Sequence, residues 1–422
     1  MSPRSLALGT LAVAVAVVSC EPSTVGPPTR SFSATGVGRP VVLVNPAERG
    51  NGTATTIQEG IDMVAEGGRV MVKPGTYAEA LVINKGLTLE GIADGSGGAV
   101  IAPPGAPATT IEIATPDQVT LQDLTLYVPG TAGILGVGPV DLTVERSVVV
   151  AVNPPLGASN LIFVANDAGG GSRARMVVRH SVLDGTITNR PLPYPQSFGL
   201  RPQGDVDAVF EANVIRRTGG ACIFVVTRAD LGGELNADIL DNDLDECHPS
   251  GRAGAVLVGP VAGNFPTATR PLTATGVVNI IGNTIRNSAG ACVTTTAIAY
   301  EVYGGRIEHN RILNVVQTCA TPAGRGLPAA IWLGRLNQPL FPAVTPTVRF
   351  NDIVGNAQAG LRIASNQTLT IDATCNYWGS ASGPSGLGTG TGDAVVVQPG
   401  GAAPVIAPFA TAPIAGTDAT GC

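Results

Sequence analysis

Val277–Val293 reads VVNIIGNTIRNSAGACV. Apolar Val278 and Ile280 alternate with polar neighbours, then come Asn283, Ile285, a polar turn, and a run of small residues that opens into another apolar stretch. The same phrase recurs on Asn213 (VFEANVI), Asn242 (DILDNDL), Asn310 (RIEHNRI), Asn351 (VRFNDIV) and Asn376 (DATCNYW). Upstream, the matching slot falls on Gln122, Arg146 and His180. Each slot is followed two places on by Ile, Leu or Val, except where Trp378 stands. Alternation with period two means strands that bury one face. A second short strand follows in ACIFVV, AGAVLVG, ACVTTTA, AAIWLG and AGLRIA.

Successive slots lie 24 to 41 residues apart. A repeat of that length, with two or three short strands and no helix, predicts a β-solenoid. One turn of such a chain cannot bury its inner face alone, so the turns stack, each strand pairing in parallel with the next at about 4.8 Å. Asn213, Asn242, Asn283, Asn310, Asn351 and Asn376 then stack at one corner as a structural ladder, since an amide both donates and accepts. Asn also tolerates the left-handed backbone of a bend.

Bulk composition agrees. Of 422 residues only 13% are charged, 44% are apolar, 55 are Gly and 33 are Pro. This excludes disorder and favours turn-rich β-structure. The net charge is −6 and Lys occurs only at positions 73 and 85, which argues against nucleic acid as a partner.

The chain opens MSPRSLALGTLAVAVAVVSC. Its apolar stretch is too short to span a membrane and suits a signal peptide over 1–19. VVSC resembles a bacterial lipobox, which implies lipidation at Cys20, a membrane contact through that lipid only, and an exported, envelope-anchored protein. The alternative is an ordinary signal peptide with Cys20 incidental. Residues 20–40 are Pro/Ser/Thr/Gly-rich and read as a tether. The solenoid is expected over 41–379, with a Gly/Pro-rich closing segment over 380–422.

Six further cysteines suit an exported chain. Cys222 and Cys292 each open a second strand, and Cys247 and Cys319 fall one coil later in the polar turn. The expected pairs are Cys222–Cys247 and Cys292–Cys319, with Cys375–Cys422 tying down the tail. Zinc is the weaker reading, because no short Cys-x-x-Cys spacing occurs and His is found only at 180, 248 and 309.

At the start, TTIQEGIDMVAEGG (55–68) predicts a capping helix with a Thr56/Glu59 box, an apolar face of Ile57, Ile61, Val64 and Ala65, and a Gly67-Gly68 stop. Three short strands should follow it. Residues 56–91 (TIQEGIDMVAEGGRVMVKPGTYAEALVINKGLTLEG) resemble the opening of right-handed parallel β-helix proteins of the pectin-lyase-like superfamily. CNYWGSASGPSG (375–386) resembles the closing segment of exported bacterial members. The resemblance implies an all-β, single-stranded right-handed parallel β-helix of about ten coils. It implies no one activity.

The superfamily's catalytic patterns are absent or incomplete. GDVDAVFEAN (204–213) shares only Val206-Asp207 and Phe210 with pectin esterase motifs. Paired Asp in NTD, DD and GHG contexts, as in polygalacturonases, do not occur. Lyases of this fold use Lys or Arg as base, leaving Arg201, Arg216, Arg217 and Arg286 to consider. With three His and four Met the chain has little to offer copper.

Asp205, Asp207, Asp245, Arg216 and His248 are the catalytic candidates. DNDLDECHPSGR (241–252) is an acidic cluster that could take Ca²⁺; otherwise no cofactor is expected. Its simpler reading is a solvated face in which Arg216, Asp245 and Arg286, and Arg217 with Glu246, form surface ladders. Insertions over 184–199, 261–273 and 318–328 are expected on one side of the solenoid, where working faces are built. Tyr194, Phe198, Tyr300 and Tyr303 border them and are the candidates for sugar stacking; Trp378 should be core, and the face of Trp332 is open. The leading expectation is a monomeric, non-catalytic envelope lipoprotein that binds polysaccharide or another extracellular partner. The alternatives are a polysaccharide lyase or carbohydrate esterase with an unfamiliar site near Arg201–His248, and a structural or adhesive spacer.

Overall fold

The computed structural model describes residues 38–48, 53–93, 95, 97–152, 158–167, 171–186, 196–227, 233–247, 254–260, 272–273, 275–290, 296–317, 329–334, 342–356, 358–414 and 422. Cys20, Tyr194, His248 and the expected Cys292–Cys319 pair lie outside them.

Three parallel sheets run through the described chain, of twelve, ten and twelve strands, here called A, B and C. Each coil visits them in turn. One coil is Val206–Glu211 in sheet A, Val214–Arg216 in B and Ile223–Thr227 in C. The next is Leu235–Leu240, Asp243–Asp245 and Val256–Pro260. Residues pair with their equivalents one coil away, as in Phe210↔Ile239, Ile215↔Leu244 and Ile223↔Val256. The architecture is a parallel β-helix.

Its interior is one apolar column. Phe210, Ile239, Ile280 and Ile307 stack inside sheet A, and Leu244, Ile285, Ile312 and Ile353 inside sheet B, all at zero exposure. The B strands of the later coils are three residues long and send only the middle side chain fully inward, as in the exposed-buried alternation of Val214–Arg216. Burying one such Ile contributes about 1.5–3 kcal/mol.

The Asn ladder is continuous. Asn213, Asn242, Asn283, Asn310 and Asn351 each donate Nδ2 to the Oδ1 of the next, at 2.9–3.0 Å, ending at Asn376. Each also donates to a backbone carbonyl of the preceding coil, as from Asn283 to Ile239 O at 2.8 Å. Two details differ from expectation. The left-handed residue is the one before each Asn: Ala212, Asp241, Gly282, His309, Phe350 and Cys375 all have positive φ. Upstream, Arg146 and His180 occupy that left-handed position, so the ladder slot is one residue later, at Ser147 and Ser181. Ser181 N donates to Asn213 Oδ1, Ser147 N to Ser181 Oγ, and Leu124 N to Ser147 Oγ. Gln122 therefore lies two residues short of the slot, which is Leu124.

The helix is shorter than its apolar face suggests, Ile57–Met63. Thr56 caps Glu59 N at 3.1 Å, while the Glu59 carboxylate reaches Thr55 N at 2.8 Å. Val64 and Ala65 leave the helix for strand Val64–Val72, which pairs with Arg39–Val44 and Leu87–Gly91. At the other end, Gly392–Val397 pairs with Leu361–Ile363 in sheet C, so β-structure continues into the closing segment. Cys222–Cys247 and Cys375–Cys422 are disulfides, with Cα atoms 5.4 and 5.3 Å apart. Trp378 is fully buried.

Candidate binding face on sheet C

Apart from 92–98, between Leu87–Gly91 and Ala99–Ile101, the corner between sheets A and B is tight, Ala212-Asn213 and Asp241-Asn242 being examples. Length varies instead at the other two corners. Segments 185–195 and 246–255 lead from B into C, and 261–276 and 334–344 lead from C back to A. The insertions thus fall at two corners rather than one, and sheet C is the sheet that both border.

The outward side of sheet C is unlike the others. Register places Leu135, Phe163 and Arg201 in one row. Arg201 and Phe224 follow the paired Leu200 and Ile223, and from Phe224 the row continues through Leu257, Ala299, Trp332 and Arg362 to Val396. Ala221, Phe224, Val226, Leu257 and Ala299 form a second apolar cluster, separate from the core, with Phe198 against it.

Arg201 sits at the edge of that cluster. Its guanidinium carbon is 4.6 Å from the Phe163 ring centre, 5.5 Å from Phe224 and 5.8 Å from Phe198. The Phe198 and Phe224 rings lie 5.3 Å apart, and Phe198 leans where a side chain on Gly220 would collide with it at 2.7 Å. Arg201 Nη2 donates to Gln203 Oε1 at 3.0 Å, and Gln203 Nε2 donates to Asp167 Oδ2 at 2.9 Å. Arg201 Nη1 lies 3.5 Å from Asn160 Oδ1. Its Nε is buried without a hydrogen-bond partner. Burial holds its pKa below the usual arginine range, against the opposing charge of Asp167. Arg remains cationic at any such value near neutrality. The result is a fixed cation among aromatic faces, a combination that suits a ligand with one apolar face and oxygen-rich edges.

The other candidates are dispersed and mostly engaged. Asp205 accepts from Glu234 N at 2.6 Å at the C-to-A corner. Asp207, on sheet A, is held by Arg173 Nε at 2.8 Å and Asn236 Nδ2 at 3.1 Å. The Arg173 hydrogen bond depresses its pKa. Asp245, on sheet B, is paired with Arg286 at 3.3 Å and Asn287 at 2.9 Å. Arg216 turns to Asp184 at 3.0 Å rather than to Asp245, and Asp184 also anchors Arg217. Asp205 and Asp207 both act on Arg173, which also pairs with Glu234 at 3.2 Å, while Asp245 stands apart on sheet B. In the acidic cluster Arg286 takes Asp243 as well as Asp245. Among the described residues no group of three His, Cys, Asp or Glu is placed to hold a metal.

Of the aromatic candidates, Phe198 is on the sheet C face. Tyr300 is not a surface residue: it is fully buried, donating its hydroxyl to Val278 O at 2.9 Å and Gly304 O at 2.6 Å. Tyr303 is half-buried against the core. Trp332 faces outward from sheet C yet is 6% exposed. Phe163, Gln203, Asn160 and Arg362 were not singled out from sequence. Their signal was an arginine inside an apolar second strand, in FGLRPQ and AGLRIA. A shallow depression lined by Glu90, Gly91, Ile92, Ala93, Gly98 and Asp123 lies elsewhere, its carboxylates paired with Arg69 at 3.1 Å and Arg146 at 2.8 Å.

No family model matches the chain, and no curated protein matches it. Two solved structures are similar. One is the A-module of the mannuronan C-5 epimerase AlgE4 of Azotobacter vinelandii, at 13% identity, covering 81% of this chain and 91% of that one, with a TM-score of 0.43. The other is the catalytic unit of a thermostable GH87 α-1,3-glucanase of Streptomyces thermodiastaticus, at 16% identity, covering 90% and 71%, with a TM-score of 0.37. At these values neither carries an argument about activity.

Proposed function

We propose that this is an exported polysaccharide-binding protein that uses the outward face of sheet C, tethered to the envelope by a lipid on Cys20 and without turnover of its ligand. The observation that carries the reading is Arg201 among Phe163, Phe198 and Phe224. A pyranose ring offers C–H faces to the phenyl rings and hydroxyl or carboxylate oxygens to the guanidinium. The engaged state of Asp205, Asp207 and Asp245 supports binding over catalysis, because each is held by a neighbour in the fold. The disulfides support export.

The test uses the soluble chain from Glu21 with disulfides intact, run through gels loaded with acidic or neutral polysaccharides. Retardation is expected, and Arg201→Ala should weaken it at least tenfold, about 1.4 kcal/mol, with the melting temperature nearly unchanged. Reducing ends, unsaturated products and released acetate or methanol are followed in parallel. Turnover of any polymer would replace this reading with the enzymatic one. Asp167, linked to Arg201 through Gln203, would then be the first carboxylate to replace.

A further inference from the structure

Arg362 occupies the outward slot of Leu361–Ile363, beside Trp332 of the preceding coil and Val396 of the following one. Its guanidinium carbon is 5.7 Å from the indole centre. Arg362 is 2% exposed and Trp332 6%. Arg362 Nε is buried with no hydrogen-bond partner, and among the described residues no carboxylate is paired with the guanidinium. Other arginines of the surface are treated differently: Arg146 has Asp123, Arg173 has Asp207, and Arg286 has Asp243. Burial lowers the Arg362 pKa, and among the described residues no opposing charge acts on it. A desolvated cation without an anion is unfavourable for the fold. Its retention points to a counter-ion from outside the chain.

We propose that Arg362 and Trp332 form a binding site for a carboxylate carried on a flat apolar group. The planar fork of Arg362 donates to the two carboxylate oxygens side by side, and the indole receives the attached ring or chain. In so dry a setting the pair is stronger than in water. The site lies five coils beyond Arg201 in the same row, about 24 Å away at 4.8 Å per coil. It does not depend on the polysaccharide reading, since a free carboxylate can bind whether or not a polymer does.

Benzoate and acetate are titrated into the soluble chain, with sulfate and chloride at matched ionic strength, while tryptophan fluorescence is read. The only other tryptophan, Trp378, is sealed in the core, and Trp332→Phe should abolish the response, assigning it to Trp332. Benzoate is expected to change the emission and raise the melting temperature, with acetate weaker and chloride inert. Both groups are nearly sealed, so the change should develop more slowly than mixing. Arg362→Lys keeps the charge but loses the fork and should weaken benzoate at least tenfold. Arg362→Met should lose the response and melt, without ligand, no lower than the parent, because an uncompensated charge has been removed. If Arg362→Met fails to fold, the lysine variant decides. The proposal is overturned if benzoate changes neither reading in the parent, if sulfate acts as strongly as benzoate, or if Arg362→Lys binds benzoate as the parent does.

Discussion

Asn283 is fully buried and spends its whole amide on the ladder. Nδ2 donates to Ile239 O, Ile281 O and Asn310 Oδ1, while Oδ1 accepts from Asn242 N and Nδ2. Asn283→Ala strands several of these groups in a dry corner, and a loss of about 2–4 kcal/mol is expected from urea unfolding. A loss below about 1 kcal/mol would mean that water replaces the amide there. Asp184 makes a second residue-scale prediction. Burial would raise its carboxyl, but hydrogen bonds from Arg217 and Thr186 and the charges of Arg217 and Arg216 outweigh it, and its pKa is lowered. The folded state therefore favours the ionised form. That contribution is complete above the ordinary carboxylate value, about 3.9, and is lost as pH falls through the lower folded value. Asp184→Asn should be less stable than the parent at pH 7, with the gap closing as pH falls below about 4, as read by thermal melts at falling pH. The asparagines were legible because residue type itself reports the slot. Ser147 and Ser181 were not, because the deciding feature there is the positive φ of Arg146 and His180, which letters do not record.

Elements were legible where periodicity alone decides them and less so where neighbours do. The sequence favours continuing the helix through Val64 and Ala65. Yet Val64–Val72 gains two parallel partners by becoming a strand, and that gain overrides local preference. The contact is close: a Cβ on Gly60 would lie 2.8 Å from Val44 Cγ2. The face of Trp332 could not be chosen from alternation alone, since both sides of its strand are buried. The Cys222–Cys247 link was legible because both cysteines follow the repeat. It joins the start of Ile223–Thr227 to the turn after Asp243–Asp245, across 25 residues. Replacing both with Ala should cost about 3 kcal/mol, measured by urea unfolding of the oxidised parent and the double variant. Amide exchange should quicken first in the two coils that the bond joins. Equal stability would show that stacking alone fixes this corner.

At the scale of the whole molecule, a solenoid's coils support only their neighbours, so its ends decide where unfolding begins. The last coil is closed by chain rather than by another strand. Ala373 N donates to Val405 O at 2.8 Å, Cys375 N to Pro408 O at 2.7 Å, and Ala410 N returns to Asn376 O at 3.1 Å. Ile414 N reaches Asp352 Oδ1 at 2.7 Å, and the Cys375–Cys422 bond fastens the segment. Without it, Asn376 would end the ladder with its backbone carbonyl unpaired, and Trp378 would lose cover. A chain ending at Gly401 should therefore keep its sheets but fray from that end. Hydrogen exchange is expected to rise in 345–401 and to stay at parent values in 87–151, six to eight coils away. Cleaving only the disulfide should give a smaller rise in the same region, since the backbone bonds of Val405, Pro408 and Ala410 remain. Uniform loss of protection along the chain would mean that the column unfolds as one cooperative unit, with the closing segment holding all of it.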